Sequence, residues 1–265
     1  MNKEYLKFAI EIAQQAGKIM LDYFNKDNKS RYKLDNTIVT EADNKINEYL
    51  IKRVKETYPT HSVQGEEECF GKSTHTWICD PIDGTAMYAR NIPVAVFSLA
   101  LAIDGSPIVG VVYDPFTENM YYATKGEGAY KNNEKIEVND IALGDMRSVA
   151  NFDMWAKAEY DIHDVIRNLE EKTYFVSIGS VIRGAMCVAT GDFTFAIFPG
   201  TKNKNYDIAA LKVIVEASGG IVTDIFGNEQ RYDQDINGTI ISNKVVYEEV
   251  LAEIKRSIKK RSIYE

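Results

Sequence analysis

The segment of the chain most suggestive of chemistry is residues 77–85, WICDPIDGT, where an apolar run ends in two aspartates three positions apart. A proline and a glycine let the chain turn sharply there, so Asp80, Asp83 and the Ile82 carbonyl can face one point. Three oxygen donors in four residues suit a hard cation such as Mg²⁺, which takes octahedral oxygen ligands and keeps several waters. An ordinary acidic turn has the same letters, so both interpretations stay open here.

The residues after Asp83 add a possible anion site. If a helix begins at Gly84, the amides of Gly84 and Thr85 lie at its positive end, which suits a phosphate. A cation and a phosphate would then bind side by side.

Two further acidic segments lie elsewhere in the chain. Residues 65–68, GEEE, form a glycine turn followed by three acids, a pattern typical of a solvated charge run. Asp207, in NYDIAA, stands at the expected start of an apolar helix, where N-capping alone explains an acid. Taken singly, neither segment requires a functional interpretation.

Taken together, in this order and at these separations, the segments resemble the inositol monophosphatase family over essentially the whole chain. The resemblance rests on the GEE turn at Glu66, the DPIDGT signature and the YDIAA helix start. Residues 39–43, VTEAD, and 126–130, GEGAY, are also similar to the family. It implies a phosphoric monoester hydrolase that is magnesium-dependent and lithium-sensitive, with an α-β-α-β-α layered sandwich of the inositol monophosphatase and fructose-1,6-bisphosphatase type. It also implies a homodimer.

The resemblance further implies a role for individual residues. One Mg²⁺ would bind Glu66, Asp80 and the Ile82 carbonyl, a second would bind Asp80, Asp83 and Asp207, and a third, weaker ion would touch Glu66. The catalytic group that handles the attacking water would comprise Asp43, Glu66 and Thr85. Phosphate and substrate contacts would come from Asp83, Gly84, Thr85, Gly179, Ser180, Val181 and Asp207. Supporting positions would be Glu67 and, in a segment similar to the family's mobile loop, Lys33.

The substrate side departs from the family pattern. Pro199 stands where the family has a glutamate that binds inositol hydroxyls, and about one residue is inserted before Asp207. Lys202 and Lys204 would bring positive charge to the mouth of the site, which suits a substrate with a second phosphate, or they are ordinary surface residues. The signature is followed by AMYAR, residues 86–90, instead of T-N-F with a nearby histidine.

The leading hypothesis is hydrolysis of inositol monophosphate by metal-activated water, with relaxed specificity. An NADP(H) 2'-phosphatase or a fructose-1,6-bisphosphatase is the alternative within enzymes, and a non-catalytic metal- or phosphate-binding regulator is the alternative of another class. Competing enzyme classes lack their motifs, since the chain has neither a G-x-x-x-x-G-K-[ST] loop nor a G-x-S-x-G elbow.

Composition argues against nucleic-acid and membrane partners and leaves a small phosphorylated metabolite as the expected partner. The 265 residues carry a net charge of -8 with a pI of about 5.1, and no basic stripe is available for a nucleic-acid backbone. The longest apolar runs are strand-sized, and the first ten residues include charges where a signal peptide would have an apolar core. We therefore expect no membrane span and a cytoplasmic location. The three cysteines have no C-x-x-C spacing and are interpreted as buried structural thiols.

Hydrophobic periodicity predicts the elements that position these residues. Residues 1–145 should form an α+β half with an antiparallel sheet and most metal ligands, and residues 146–265 a mixed α/β half that supplies Asp207 and substrate contacts. Helices are predicted over residues 5–24, 40–58, 156–169, from 180 onward, 207–217 and 245–259. Strands are predicted over residues 76–79, 95–103, 107–113, 174–178, 193–198, 221–223 and 239–242, with another near 149.

Overall fold

The computed structural model describes residues 2–26, 30–32, 38–153, 158–200 and 204–261. Most predicted helices form close to their expected bounds. The helices are α1 (Asn2–Tyr23), α2 (Glu41–Thr57), α3 (Thr85–Tyr88), α4 (His163–Leu169), α5 (Val181–Ala189), α6 (Asn205–Ala217) and α7 (Tyr247–Ser257).

An eight-stranded sheet occupies the first half of the chain. Its order is β10-β9-β8-β7-β6-β5-β3-β4, and neighbours are antiparallel except for the parallel pair β3 and β5. The antiparallel sheet predicted for this half is therefore present, with β3 as an additional parallel strand. Its strands are β3 (Ser62–Gly65), β4 (Cys69–Phe70), β5 (His75–Asp83), β6 (Val96–Ile103), β7 (Ser106–Asp114), β8 (Asn119–Thr124), β9 (Ala129–Lys131) and β10 (Glu134–Ile136).

A five-stranded mixed sheet occupies the second half, in the order β13-β11-β14-β16-β15. Strands β13, β11 and β14 are parallel, β16 is antiparallel to β14, and β15 is antiparallel to β16. Its strands are β11 (Val149–Phe152), β13 (Tyr174–Val176), β14 (Phe195–Phe198), β15 (Ile221–Thr223) and β16 (Thr239–Ser242). Two small antiparallel pairs lie outside the sheets, β1 (Arg31–Tyr32) with β2 (Ile38–Val39) and β12 (Tyr160–Asp161) with β17 (Lys259–Lys260).

The alternation of side chains along the strands builds five layers. On β5, Trp77 packs into a core shared with α1 and α2, whereas the next residue, Ile78, packs on the opposite face against α5 and α6. On β14, Phe198 belongs to that central core, whereas Ile197 packs with α4 and α7. The helices thus cover both outer faces and fill the space between the sheets, which confirms the predicted α-β-α-β-α sandwich.

Two predicted helices have different limits. The helix expected over residues 156–169 begins only at His163, because Asp161 accepts the His163 amide at 2.9 Å and the preceding residues of β12 pair with β17; residues 154–157 lie outside the described ranges. The last helix was expected to continue to residue 259 but ends at Ser257, and the following lysines are extended in β17. The amphipathic pattern at the end of the chain therefore belongs only partly to a helix.

The thiols are not all buried. Cys79 is buried, Cys187 is half-buried, and Cys69 is exposed because it lies on the short edge strand β4. The prediction of three buried thiols is therefore wrong for Cys69.

The change of sheet occurs between Ile136 and Val149, and the division into halves at residue 145 stays a prediction. Among the described residues, no helix combines the length and apolar character needed to cross a bilayer.

Candidate active site

The signature segment forms an irregular end of β5. The pairing of β5 with β6 shifts register between Asp80 and Asp83, which is the geometry of a β-bulge and re-aims the side chains there. The Ile82 amide donates to Asp80 Oδ1 at 2.9 Å, and the Thr85 hydroxyl donates to the Ile82 carbonyl at 2.7 Å. These bonds hold the loop in a fixed turn, as the proline and glycine in the sequence predict.

Asp207 is brought to the same place by α6. It lies in the first turn of that helix and is 3% exposed. Asn205 anchors the turn, donating to the Tyr232 carbonyl at 2.7 Å and accepting from Gln64 on β3 at 3.2 Å. One oxygen from each of Asp80, Asp83 and Asp207 lies within 4.8 Å of the other two. Residues 124 positions apart thus form one cluster of donors suited to a hard cation.

The electrostatics of the cluster favour the binding of a cation. Burial is the main cause that raises the pKa of Asp80 well above its usual range, and the charges of Glu66, Asp207 and Asp83 add to it. Burial also raises the pKa of Asp207 to about 7 and that of Asp83 to about 6, although nearby hydrogen bonds and Lys204 act in the opposite direction. Buried carboxylates at this spacing cannot all ionise without compensating positive charge.

Asp43 lies in the first turn of α2, and the charges of Glu66 and Glu67 act on it. Its Oδ2 accepts the Thr40 amide at 2.8 Å and the Thr40 hydroxyl at 2.5 Å, which fixes the carboxylate at the start of the helix. Its Oδ1 is buried and has no hydrogen-bond partner among the described residues. Burial, with the charges of Glu66 and Glu67, raises the pKa of Asp43 to about 8. Buried acceptors without a partner are rare in folded proteins, so Oδ1 of Asp43 is a candidate for a functional contact.

Glu66 and Glu67 follow β3, which lies parallel to β5. The Glu66 amide donates to the Cys79 carbonyl at 3.1 Å, so Glu66 stands next to Asp80. Both glutamates are half-buried rather than part of a solvated run. The third acidic segment therefore meets the other two. Periodicity could not predict this meeting, because β3 is only four residues long.

The substrate-side loop packs directly on the signature. Gly84 has a φ of 85°, and a Cβ there would lie 3.2 Å from the Gly179 carbonyl oxygen and 3.3 Å from Ser180 Cβ. The Ser180 hydroxyl and the Ile182 amide, the latter at 2.9 Å, both donate to Asp83 Oδ2. Residues 179–181 thus adjoin the signature as expected, with the Val181 side chain in the central core.

Sequence reasoning missed the residues that hold this loop. Asp153 accepts the Ser177 hydroxyl at 2.5 Å and the Asn151 amide group at 3.2 Å, and Asn151 accepts the Ile178 amide at 3.2 Å. Asp153 directly follows β11, just as Asp80 lies near the end of β5. Asp153 could have been identified as an acid at the carboxyl end of a parallel strand, where ligand sites of such sheets lie.

Other predicted positions have varied outcomes. Lys204 lies inside the site, with its Nζ 3.7 Å from Glu66 Oε1, and is not a surface residue. Pro199 is buried immediately after β14, and no carboxylate stands at that position. Lys33 and Lys202 lie outside the described residues, so their predicted roles stay predictions.

Comparison with known proteins agrees with this geometry. The model of the inositol monophosphatase family matches residues 1–259. This chain belongs to the inositol monophosphatase family. Members of the family are metal-dependent phosphatases, so the chain is a phosphoric monoester hydrolase that acts on small phosphorylated substrates.

Individual relatives differ in their named substrates. The chain is 30% identical to a fructose-1,6-bisphosphatase/inositol-1-monophosphatase of Thermotoga maritima, over 93% of this chain and 94% of that protein. It is also 30% identical to a histidinol-phosphatase of Chlorobaculum parvum, over 94% and 96%. A solved IMPase/NADP phosphatase in complex with Mg²⁺ and phosphate is 25% identical, covers 95% of each chain and superposes with a TM-score of 0.82.

The raised pKa values predict how metal binding depends on pH. Among the carboxylates assigned to the metal, Asp207 has a pKa of about 7 and is partly protonated at neutrality, whereas Asp83 has a pKa of about 6 and is mostly protonated only below that pH. The pKa of Asp80 lies well above its usual range. Because a carboxylate must lose its proton to bind a cation, Mn²⁺ affinity should rise from pH 6 to pH 8, by about tenfold per pH unit for each proton displaced. Titration calorimetry in buffers of different ionisation enthalpy should detect the released protons. Affinity that does not change across this range would contradict the prediction.

Proposed function

We propose that this phosphatase hydrolyses inositol monophosphate to inositol and phosphate, with Mg²⁺ as its metal and with specificity that extends to other small phosphomonoesters. The single observation that carries the proposal is the buried meeting of Asp80, Asp83 and Asp207 within 4.8 Å, at the point where Gly84 and the Gly179 loop touch. A candidate cation site and a polar loop with free backbone donors for a phosphate would adjoin each other there.

The ligand assignment follows the donor chemistry. Glu66, Asp80, Asp83, Asp207 and the Ile82 carbonyl would hold the metal. Bound there, Mg²⁺ would lower the pKa of a coordinated water and neutralise charge on a phosphate. The family resemblance implies that two ions would share Asp80.

The residues around the metal ligands handle the water and the phosphate. Thr85 keeps its hydroxyl proton on the Ile82 carbonyl, so its oxygen is oriented to accept a hydrogen bond from a water. The family resemblance implies that Asp43 is the second group on the attacking water, and its Oδ1 has no other hydrogen-bond partner among the described residues. There it would accept from that water and help it to lose a proton. The amides of Gly84 and Thr85 precede the first backbone bonds of α3 and can donate to phosphate oxygens. No covalent phosphoenzyme is needed.

The substrate is proposed from the family and from the departures at the substrate side. Without a carboxylate at Pro199, one contact to a polyol is missing, which favours relaxed specificity. An NADP 2'-phosphatase or a fructose-1,6-bisphosphatase is the second candidate, supported by the 25% identical IMPase/NADP phosphatase and by the bifunctional Thermotoga maritima relative.

The test compares kcat/KM for inositol 1-phosphate, NADP, fructose 1,6-bisphosphate and histidinol phosphate, each with Mg²⁺ and with a chelator. We expect phosphate release from inositol 1-phosphate that the chelator abolishes. A hundredfold preference for another substrate would overturn the inositol assignment but keep the phosphatase. Release from no member of a broad panel would favour the non-catalytic regulator.

The homodimer and the cytoplasmic location stay predictions. Light scattering coupled to size exclusion would measure the oligomeric state directly, and a mass of a single 29.9 kDa chain would contradict the dimer.

A further inference from the structure

Lys204 places a positive charge inside the acidic site. It immediately precedes α6, and its side chain is only 17% exposed. The ammonium lies 3.7 Å from Glu66 Oε1 and 5.0 Å from the centre of the Tyr206 ring, in a cation–π arrangement. Lysine is rarely buried to this extent unless an acid compensates it.

The Lys204 ammonium is fixed beside the acidic cluster. It forms an ion pair with Glu66, whose side chain is 10% exposed, and it stands at the N-cap of α6, which carries Asp207 in its first turn. A buried ammonium and a buried carboxylate in this arrangement each compensate the charge of the other. Lys204 is therefore positioned as a fixed cation of the site.

This position is poorly suited to a second phosphate of a substrate. The ammonium is directed at Glu66 and lies over Tyr206, so contact with a substrate phosphate would require it to leave both. A lysine free to bind substrate would instead project into the open mouth of the site. The geometry therefore favours Lys204 as an ion-pair partner of the carboxylates over Lys204 as a substrate-binding residue.

We infer that the Lys204 ammonium takes the place, beside Glu66, of the third and most weakly held metal ion that the family resemblance implies, so that this chain binds two divalent ions. The inference rests on the proposed metal site and specifies its occupancy.

Charge balance supports it. Two divalent ions already compensate the four carboxylates of Glu66, Asp80, Asp83 and Asp207, and the ammonium adds one further positive charge. A third divalent ion on Glu66 would lie within a few ångströms of that ammonium in a partly desolvated pocket, where like charges repel strongly. Removing the ammonium while leaving Glu66 in place should open this position.

The experiment counts bound Mn²⁺ by the electron paramagnetic resonance signal of free Mn²⁺ during titration. Native protein should bind two ions per chain, and K204Q should bind a third, weaker one. K204R keeps the charge and should bind two. K204M keeps the packed aliphatic stem and should match K204Q, so the comparison survives if K204Q does not fold by circular dichroism.

Lys244→Gln is the matched control. Lys244 is exposed and lies two residues after Ser242. Ser242 pairs with Phe195 at the start of β14, whereas the chain reaches Lys204 from the other end of that strand. The Lys244→Gln variant removes the same charge and should leave two ions bound. Three ions on native protein, or two on both K204Q and K204M, would overturn the inference while leaving the metal centre intact. Binding of no Mn²⁺ to any protein would overturn the metal centre as well.

Discussion

Asp80→Asn should lower kcat by several orders of magnitude, about 10³-fold or more, while the protein keeps its fold. Asp80 is 2% exposed, lies within 4.8 Å of the oxygens of Asp83 and Asp207, and is the carboxylate that two ions would share. Asparagine has nearly the same size but brings one neutral oxygen, so it cannot bridge two cations. Steady-state kinetics with saturating Mg²⁺ measures the loss, and circular dichroism checks the fold.

Asp224→Asn is the control for this change. Asp224 is also buried, but it caps a turn after β15, accepting the Phe226 and Asn228 amides at 2.9 and 2.7 Å. Because an asparagine oxygen can still accept these bonds, kcat should stay within a few-fold of the native value. An Asp80→Asn enzyme with activity within tenfold of native would show that this carboxylate does not bridge metal ions.

Gly84→Ala should lower kcat by about 10²-fold and destabilise the protein by about 1–2 kcal/mol. The positive φ of 85° strains any residue with a Cβ, and the added carbon would lie tighter than ordinary contact against the Gly179 carbonyl and Ser180. Relief of these contacts must move the loop that donates to Asp83. Urea denaturation gives the stability loss and initial-rate kinetics give the catalytic loss.

Gly126→Ala separates the effect of backbone strain from the effect of close contact with the Gly179 loop. Gly126 has the same φ of 85°, but a Cβ there would have nothing within 4 Å. It should lose similar stability and keep its activity. If both variants lose activity equally, the close approach of Gly84 to the Gly179 loop has no catalytic importance.

The parts of the fold that periodicity predicts are those whose burial follows a regular pattern. The apolar stripe of α1 and the strand alternation of β6 and β7 around the Gly105 turn leave little choice of structure. The short strand β3 and the pairing of β12 with β17 were missed because two to four residues carry no measurable period. Their conformation is fixed by distant partners and not by local sequence.

In the candidate site too, some features could be predicted from the sequence and others depend on distant parts of the chain. Each acidic segment had an ordinary local explanation, and only their combination pointed to one site. Glu66 and Asp207 meet Asp80 because β3 pairs in parallel with β5 and because of the position of α6. Neither arrangement can be predicted from the local sequence. The burial of Lys204 could not be inferred, since a lysine before a helix usually extends into solvent.

The central position of α6 also governs how the site can be lost. This helix carries Asp207 in its first turn and packs between the two sheets, with the run from Ile208 to Val215 buried. Displacement of the whole helix would separate it from both sheets, so losing the site by that route costs nearly the free energy of global unfolding. Opening that is confined to the first turn of α6 would release Asp207 at a lower cost, and the bonds of Asn205 to Tyr232 and Gln64 oppose it.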